Sequence, residues 1–375
     1  MKEKIIAAAV IAAAAGAASA ADVTIYGNVD LGVSVTHVDG KTSTEMKSGM
    51  RTSSRFGLKG TEALADGYTV GFVLESQFKA DDGTLQNAGT LWERESSLWL
   101  ATPFGKFTVG RVGYLKGSVG STALLNSYRV NPFGGLMSNY ITGFKAYTTG
   151  TAWYVTNGFV YASPKIADTE VFFQYSNGHN NYNTDDSGKE NDNDRYYAAA
   201  VRYMNGPLLV QMIADTTNLG NAANKSSVND HNSRDPMSLG LQAAYDFGFV
   251  KPFVMAEVFK DSQLNKVGGA TGRTVSVKGG YDGAGGTVVL QWPMWGGQAK
   301  AGVGYLKAHR AQEDSSADKR DIMRRGASIG YDYALTKKTH VYADAGWFGQ
   351  KESMAGDATV RSHGAECVAG MVHYF

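Results

Sequence analysis

The chain has 375 residues, of which 43% are hydrophobic and 19% are charged, with 46 glycines, 7 prolines, one cysteine and a formal net charge of +1. This composition argues against a disordered chain and against a helix-rich enzyme, and the balanced charge removes any whole-protein argument for binding nucleic acid. The lone Cys367 excludes an intrachain disulfide and any multi-cysteine metal site.

The N-terminus predicts a secretory signal peptide over residues 1–20. Lys2 and Lys4 give a basic start, residues 5–18 form an apolar run, and Ala18-Ser19-Ala20 offers a cleavage site of small residues. The run is too short for a transmembrane helix, which needs about 20 apolar residues; an uncleaved N-terminal anchor is the alternative. Removing two lysines and one glutamate leaves 34 basic and 34 acidic residues in the mature chain, residues 21–375.

The first mature segment alternates with period two. Apolar residues and one glycine occupy the odd positions from Val23 to Val35, and mostly polar residues occupy the even positions from Thr24 to Thr36. This pattern predicts a β-strand with one apolar and one polar face. Its length exceeds the about 9–11 residues with which a tilted strand crosses a membrane.

The same pattern predicts sixteen strands in all, near residues 23–36, 50–60, 67–79, 91–101, 105–113, 152–163, 168–177, 194–204, 207–216, 237–247, 250–260, 286–293, 299–309, 323–334, 339–349 and 364–375. Residues 271–281 are either a further hairpin arm or part of a long loop.

Short and long connections alternate along the chain. The short turns lie at Glu62–Asp66, Thr102–Pro103, Pro164–Ala167, Asn205–Gly206, Phe247–Gly248, Trp295–Gly297 and Thr336–Lys338. We therefore predict an all-β fold, a 16-stranded antiparallel transmembrane β-barrel of the outer membrane with short periplasmic turns and long extracellular loops. A soluble β-sandwich is the alternative, although its strands are shorter and its connections lack this rhythm.

Five blocks resemble the general porins of Gram-negative bacteria, particularly the β-proteobacterial branch. They are Val23–Gly27, Ser54–Glu62, Phe104–Arg111, Gly330–Thr339 and Gly370–Phe375, spread over the whole mature chain. The resemblance implies a homotrimer in outer-membrane lipid that passes small hydrophilic solutes by passive diffusion. It also implies a third long loop, about residues 114–151, folded inward as a constriction, and a C-terminal Phe375 read by the barrel-assembly machinery. The residues themselves lead us to expect no cofactor or metal.

The charges that face the lumen decide what such a channel passes. In the second strand Phe56 and Leu58 share one face, which places Arg51, Arg55 and Lys59 on the other. An arginine on the lipid face costs about 2–4 kcal/mol near the midplane, so the basic face is expected to line the pore. We expect the wall residues Tyr26, Asp30 and Glu75 to line it too.

The resemblance places eyelet arginines at Arg55 and Arg111. Strict alternation would turn Arg111 toward lipid together with Phe107 and Val109. We therefore expect a local break, which Gly110 would permit; a position at the rim is the alternative.

No Asp or Glu occurs in the 72 residues from Ser96 to Ala167, although basic residues continue there: Lys106, Arg111, Lys116, Arg129, Lys145 and Lys165. The constriction loop lies in this window, so Lys116, Arg129 and Lys145 are expected to make the pore positive. Because basic rings favour anions, we predict an anion-preferring channel for carboxylates, phosphate or sulfate.

Two other functions are alternatives to the channel. The seven histidines are scattered without a metal set or a Ser-His-acid pattern, so an outer-membrane hydrolase is the enzyme alternative and a non-enzyme is expected. A surface adhesin or phage receptor, acting through loops around 178–193 and 217–235, is compatible with the same barrel scaffold.

Overall fold

The computed structural model describes residues 22–125, 131–133, 144–149, 154–178, 194–219, 235–265, 279–311, 319–357 and 359–375. The predicted signal peptide and most of the loops considered for an adhesin lie outside these residues. No helix among the described residues has the length and apolar character needed to cross a membrane.

Seventeen strand segments follow one another in the part of the chain that the structure describes. They are β1 (Asp22–Val38), β2 (Lys41–Ser48), β3 (Arg55–Ala63), β4 (Thr69–Gln77), β5 (Glu95–Thr102), β6 (Gly105–Gly113), β7 (Tyr154–Ala162), β8 (Thr169–Asn177), β9 (Arg195–Asn205), β10 (Leu208–Asn218), β11 (Met237–Tyr245), β12 (Lys251–Ser262), β13 (Tyr281–Met294), β14 (Gly297–Arg310), β15 (Arg320–Ala334), β16 (Thr339–Met354) and β17 (Thr359–Tyr374). Among the described residues, three single-turn 3₁₀-helices lie at Ala65–Gly67, Phe144–Tyr147 and Ala355–Asp357.

These segments form one closed antiparallel barrel of sixteen strands. β1 closes the ring against β17, from Asn28 opposite Tyr374 to Val38 opposite Gly364. The other edge of β1 pairs with β2 along its second half and with β3 along its first half, so β2 and β3 together make one barrel strand. The all-β, 16-stranded, antiparallel prediction is confirmed.

The second strand differs from its prediction. Residues 50–54, placed in a strand by their pattern, lie in a break between β2 and β3, and the hairpin from β1 turns already at Asp39–Gly40. The Asp30 carboxylate accepts the backbone N–H groups of Arg51 at 2.9 Å and Thr52 at 2.6 Å. Because a side chain supplies these acceptors, the backbone can leave the ladder there without losing its hydrogen bonds.

Alternation gives the wall two different faces. Along β12, Phe253, Met255 and Phe259 are buried, whereas Val254 and Val258 are exposed on the outside. The buried side of the wall packs against residues of the third long loop in one apolar cluster, which includes Leu115, Leu125, Phe133, Phe253 and Val289. The apolar outer face suits lipid, and the inner face holds the loop.

Several strands extend further toward the long-loop rim than their patterns predict. β13 begins at Tyr281, β16 ends at Met354 and β17 begins at Thr359. Strand hydrogen bonding thus continues into polar sequence, where alternation of apolar residues no longer marks it.

Candidate functional site in the lumen

The third long connection begins at Tyr114, and its first described part lies inside the barrel. The Gln174 side chain of β8 accepts from the Leu115 N–H at 2.8 Å and donates to the Gly113 carbonyl at 2.8 Å. From β10, the Gln211 amide donates to the Leu124 carbonyl at 2.9 Å. Two wall strands therefore hold the backbone of this segment.

Lys116 was predicted to line the pore, but its side chain is buried between the third long loop and the wall strands β10, β11 and β12. Its Nζ lies 3.2 Å from Glu257 Oε1, 3.6 Å from Asp215 Oδ1 and 2.6 Å from Ser238 Oγ. Burial alone would lower the pKa of Lys116, but the two carboxylates outweigh it and raise the pKa. Its positive charge is balanced where it lies and serves to attach the loop.

Later parts of the same loop are attached by two more buried cations. The Lys300 ammonium donates to the Pro132 carbonyl at 3.3 Å and pairs with Asp344 at 2.9 Å. The Arg324 guanidinium donates to the Ala146 carbonyl at 3.1 Å. These contacts come from β14 and β15, so the described parts of the loop are bonded to the wall on several sides of the lumen.

A cluster of charged side chains lies on another part of the wall, at β1, β3 and β4. The Glu75 carboxylate lies 3.3 Å from Arg55 Nε and 2.6 Å from Arg94 Nε, and it accepts the Tyr26 hydroxyl at 3.0 Å. Arg94 also donates to Gln77 Oε1 at 2.7 Å. Three members of the cluster, Tyr26, Arg55 and Glu75, were predicted to line the pore. The fourth member, Arg94, was not predicted.

Glu95 lies beside Glu75 in the strand register and holds the loop rather than a cation. Its carboxylate accepts the Ser121 N–H at 2.7 Å, the Ser121 hydroxyl at 2.5 Å and the Ser97 hydroxyl at 2.7 Å. The loop thus approaches the lumen side of β5 at Gly120 and Ser121.

Arg111 lies at a local irregularity of the wall. The β6–β7 register shifts between Gly110 and Val112, and Gly110 has a φ of +117°, a conformation that favours glycine. Arg111 Nε donates to the Glu93 carbonyl at 2.6 Å, and its guanidinium lies 4.7 Å from the centroid of the Tyr154 ring. The break in regularity is present, while the role of Arg111 in the pore stays a prediction.

Arg51 and Asp30 have structural partners. Arg51 Nε lies 3.1 Å from Asp332 Oδ1. Asp30 is fully buried, and besides the backbone of the β2–β3 break its carboxylate accepts the Tyr342 hydroxyl at 2.6 Å. Asp30 was predicted to line the pore, but its buried carboxylate is occupied by these donors.

The remaining predicted residues are described only in part. Arg129 lies outside the described residues, and so does the side chain of Lys145, whose backbone belongs to the helix Phe144–Tyr147. Phe375 is exposed, and its backbone exchanges hydrogen bonds with Gly27 at 3.1 and 3.4 Å. The terminal residue therefore continues the β1–β17 closure, while its role in assembly stays a prediction.

Two cavities meet the loop at Gly120 and Ser121. The first, about 420 Å³, is lined by Tyr26, Thr52, Arg55, Lys59, Val73, Glu75, Arg94, Glu95, Ser118, Val119, Gly120, Ser121 and Tyr374. The second, about 340 Å³, is lined by Lys106, Thr108, Gly120, Ser121, Thr122, Ala123, Leu124, Val160, Ala162, Phe172 and Arg202. Three basic and two acidic residues line the first cavity, a net charge of +1, and two basic and no acidic residues line the second, a net charge of +2.

Sequence reasoning missed the charged run Glu93-Arg94-Glu95 at the start of β5. Glu93 accepts the Ser76 hydroxyl at 3.1 Å and the Gln77 N–H at 2.8 Å, Arg94 pairs with Glu75, and Glu95 binds Ser121. The signal was available, because three consecutive charges lie within a predicted strand and directly precede the acid-free window.

Comparison with known proteins gives a consistent result. A family model described as Gram-negative porin matches residues 7–353. An outer membrane porin protein of Bordetella pertussis is 27% identical over 372 residues, covering 92% of this chain and 93% of the relative. Outer membrane porin protein 32 of Delftia acidovorans is 28% identical over 361 residues, covering 94% of this chain and 91% of the relative.

Among solved structures, the anion-selective porin from Comamonas acidovorans has a similar fold. The TM-score is 0.67 at 20% sequence identity, and the match covers 95% of this chain and 100% of that chain. At this identity the likeness concerns the fold.

Proposed function

This chain belongs to the Gram-negative porin family, and from that premise we propose that its channel prefers small anions to cations. The protein is an outer-membrane diffusion porin, a channel protein and not an enzyme. The proposal concerns the sign of the charge that the channel favours and the solutes that follow from it, namely small carboxylates, phosphate or sulfate.

The charge of the two cavities carries the proposal. Basic residues outnumber acidic ones in both, by one in the first cavity and by two in the second. Charged side chains that line a pore favour ions of opposite sign, so an excess of lysine and arginine favours anions. The loop supports the same direction, because its residues Ser118 to Ser121 bring no carboxylate to the cavity.

Two further observations support an anion preference. The acid-free window from Ser96 to Ala167 contains β6, the whole third loop and β7, so these elements supply no negative charge to the lumen. A porin whose solved structure has a similar fold is described as anion-selective.

Reversal potentials test the sign directly. In planar bilayers that separate two KCl concentrations, we expect the purified protein to give a reversal potential of the sign set by chloride, because chloride enters a lumen of net positive charge more readily than potassium does. Replacing potassium by a bulky cation should change the potential little, whereas replacing chloride by a bulky anion should change it strongly. A potential of the potassium sign would refute the proposal.

We further propose that residues 1–20 are removed on export and that three copies of the mature chain assemble in outer-membrane lipid, delivered by the barrel-assembly machinery that reads Phe375. The family resemblance supports the trimer, and Lys2, Lys4 and the small residues before Ala21 support the cleavage. Native mass spectrometry of the detergent-extracted protein should give three times the mass of residues 21–375. A mass that includes residues 1–20 would contradict the cleavage. The mass of a single chain would contradict the trimer.

A further inference from the structure

The arginines of the first cavity are balanced by carboxylates. Arg55 and Arg94 both pair with Glu75, and Glu95 adds a second carboxylate to the same lining. Two guanidinium groups therefore face two carboxylates, and their charges cancel at distances beyond the cluster. The remaining charge of this cavity is that of Lys59, whose ammonium has no carboxylate of the described residues within ion-pairing distance.

The second cavity has the same arrangement. Arg202 is bonded to Glu170 through Nε at 3.2 Å and Nη2 at 2.7 Å. Lys106 lines the cavity with no carboxylate of the described residues within ion-pairing distance. One unbalanced lysine thus remains in each cavity once the ion pairs are taken into account.

Each of these lysines lies over an aromatic ring. Lys59 Nζ is 5.2 Å from the centroid of the Tyr26 ring, and Lys106 Nζ is 4.2 Å from that of Trp99. A ring attracts an ammonium through its quadrupole, so it can hold the side chain in place while adding no negative charge. The positive charge therefore remains effective toward a solute in the lumen.

The two lysines lie at different distances from the short-turn rim. Lys59 precedes the end of β3 at Ala63 by four residues, whereas Lys106 follows the start of β6 at Gly105 by one. At a rise of about 3.3 Å per residue, Lys106 lies roughly 10 Å closer to that rim along the strand direction. A solute that passes between the cavities meets the two lysines in succession.

We infer that Lys59 and Lys106 are the specificity-determining residues of the channel and attract small anions at two successive sites. The charges of Arg55 and Arg94, in contrast, are balanced by carboxylates. This inference rests on the anion preference proposed above. Two weak sites suit conduction, because an anion must be attracted strongly enough to enter and held weakly enough to leave. Phosphate, sulfate and small carboxylates have the charge and size to use both.

Substitution of the two lysines tests the inference with chloride as the probe. In KCl gradients, Lys59→Gln and Lys106→Gln should each lower the chloride-to-potassium permeability ratio, and the double variant should bring the ratio to about one, because the other charges that line the two cavities are balanced by their partners. The double variant Lys59→Arg with Lys106→Arg should keep the wild-type ratio, since it keeps both charges. Single-channel currents from every variant establish that the barrel has folded.

Lys251 provides a matched control. Its Nζ also lies near an aromatic ring, 5.5 Å from that of Phe253, but the Asp246 carboxylate is 4.0 Å away. Lys251→Gln should leave the ratio close to that of the wild type. If the wild type prefers chloride and the Lys59→Gln, Lys106→Gln double variant keeps that ratio, the inference is overturned and the proposed function stands. A wild type that prefers potassium overturns the proposed function and the inference with it.

Discussion

Lys116 shows how burial decides what a charged side chain does in this channel. The ammonium is enclosed with Asp215, Ser238 and Glu257, and the Thr149 hydroxyl and N–H also bind the Glu257 carboxylate. A buried cation with two carboxylates contributes no net attraction for a passing anion. Breaking such a group is costly, because removal of one partner leaves the other charge buried without compensation.

We therefore expect Lys116→Met to destabilise the folded barrel by about 3–5 kcal/mol, since Asp215 and Glu257 lose their buried counter-charge. The measurement is the urea concentration at which the protein in detergent or bilayers loses its strand circular dichroism. A triple variant with Lys116→Met, Asp215→Asn and Glu257→Gln should recover a large part of the loss. Equal midpoints for Lys116→Met and the wild type would show that this group does not secure the loop.

The same contact has a defined pH dependence. Because the carboxylates raise the pKa of Lys116 above its value in the unfolded chain, the stabilisation is fully present below about pH 10.4, the unfolded value, and is lost as the pH rises through the folded pKa. The difference in midpoint between wild type and Lys116→Met should accordingly shrink in strongly alkaline solution.

At the scale of elements, the strands could be predicted from sequence and the attachment of the third loop could not. A wall strand such as β6 has a period of two because one face meets lipid and the other meets the lumen, and its predicted and observed limits coincide at residues 105–113. The loop has no such constraint. Its position depends on partners far along the chain, such as Gln174, Glu257 and Arg324, which no local pattern connects to it.

The same distinction explains which charges were misjudged. Lys116 reads as a free cation because the acids that surround it lie about one hundred or more residues away in sequence, outside the acid-free window. Arg55 was predicted to line the pore from alternation and from the family resemblance, and its side chain lines the first cavity. Local charge counting therefore gives the sign of a segment, whereas the pairing of each residue depends on the closed barrel.

At the scale of the whole molecule, the balanced total charge conceals a separation between paired and unpaired groups. Closure of β1 against β17 brings the wall residues of both chain ends around one lumen, and Arg51 of the first part pairs there with Asp332 of the last. Ion pairs of this kind also neutralise Arg55, Arg94, Lys116, Arg202 and Lys300. A small excess at Lys59 and Lys106 is therefore enough to set the sign of the field in the two cavities.

A field that acts through water should be weakened by salt. The screening length is about 10 Å at 0.1 M salt and about 3 Å at 1 M, so the lysines should influence an anion across a cavity only in the dilute solution. We expect the chloride-to-potassium permeability ratio to fall toward that of free solution when both KCl concentrations are raised from about 0.1 M to about 1 M. The Lys59→Gln, Lys106→Gln double variant should show little change over the same range. A wild-type ratio that stays constant would mean that ions are selected by direct contact at the narrow part of the lumen, where screening by bulk salt has little effect.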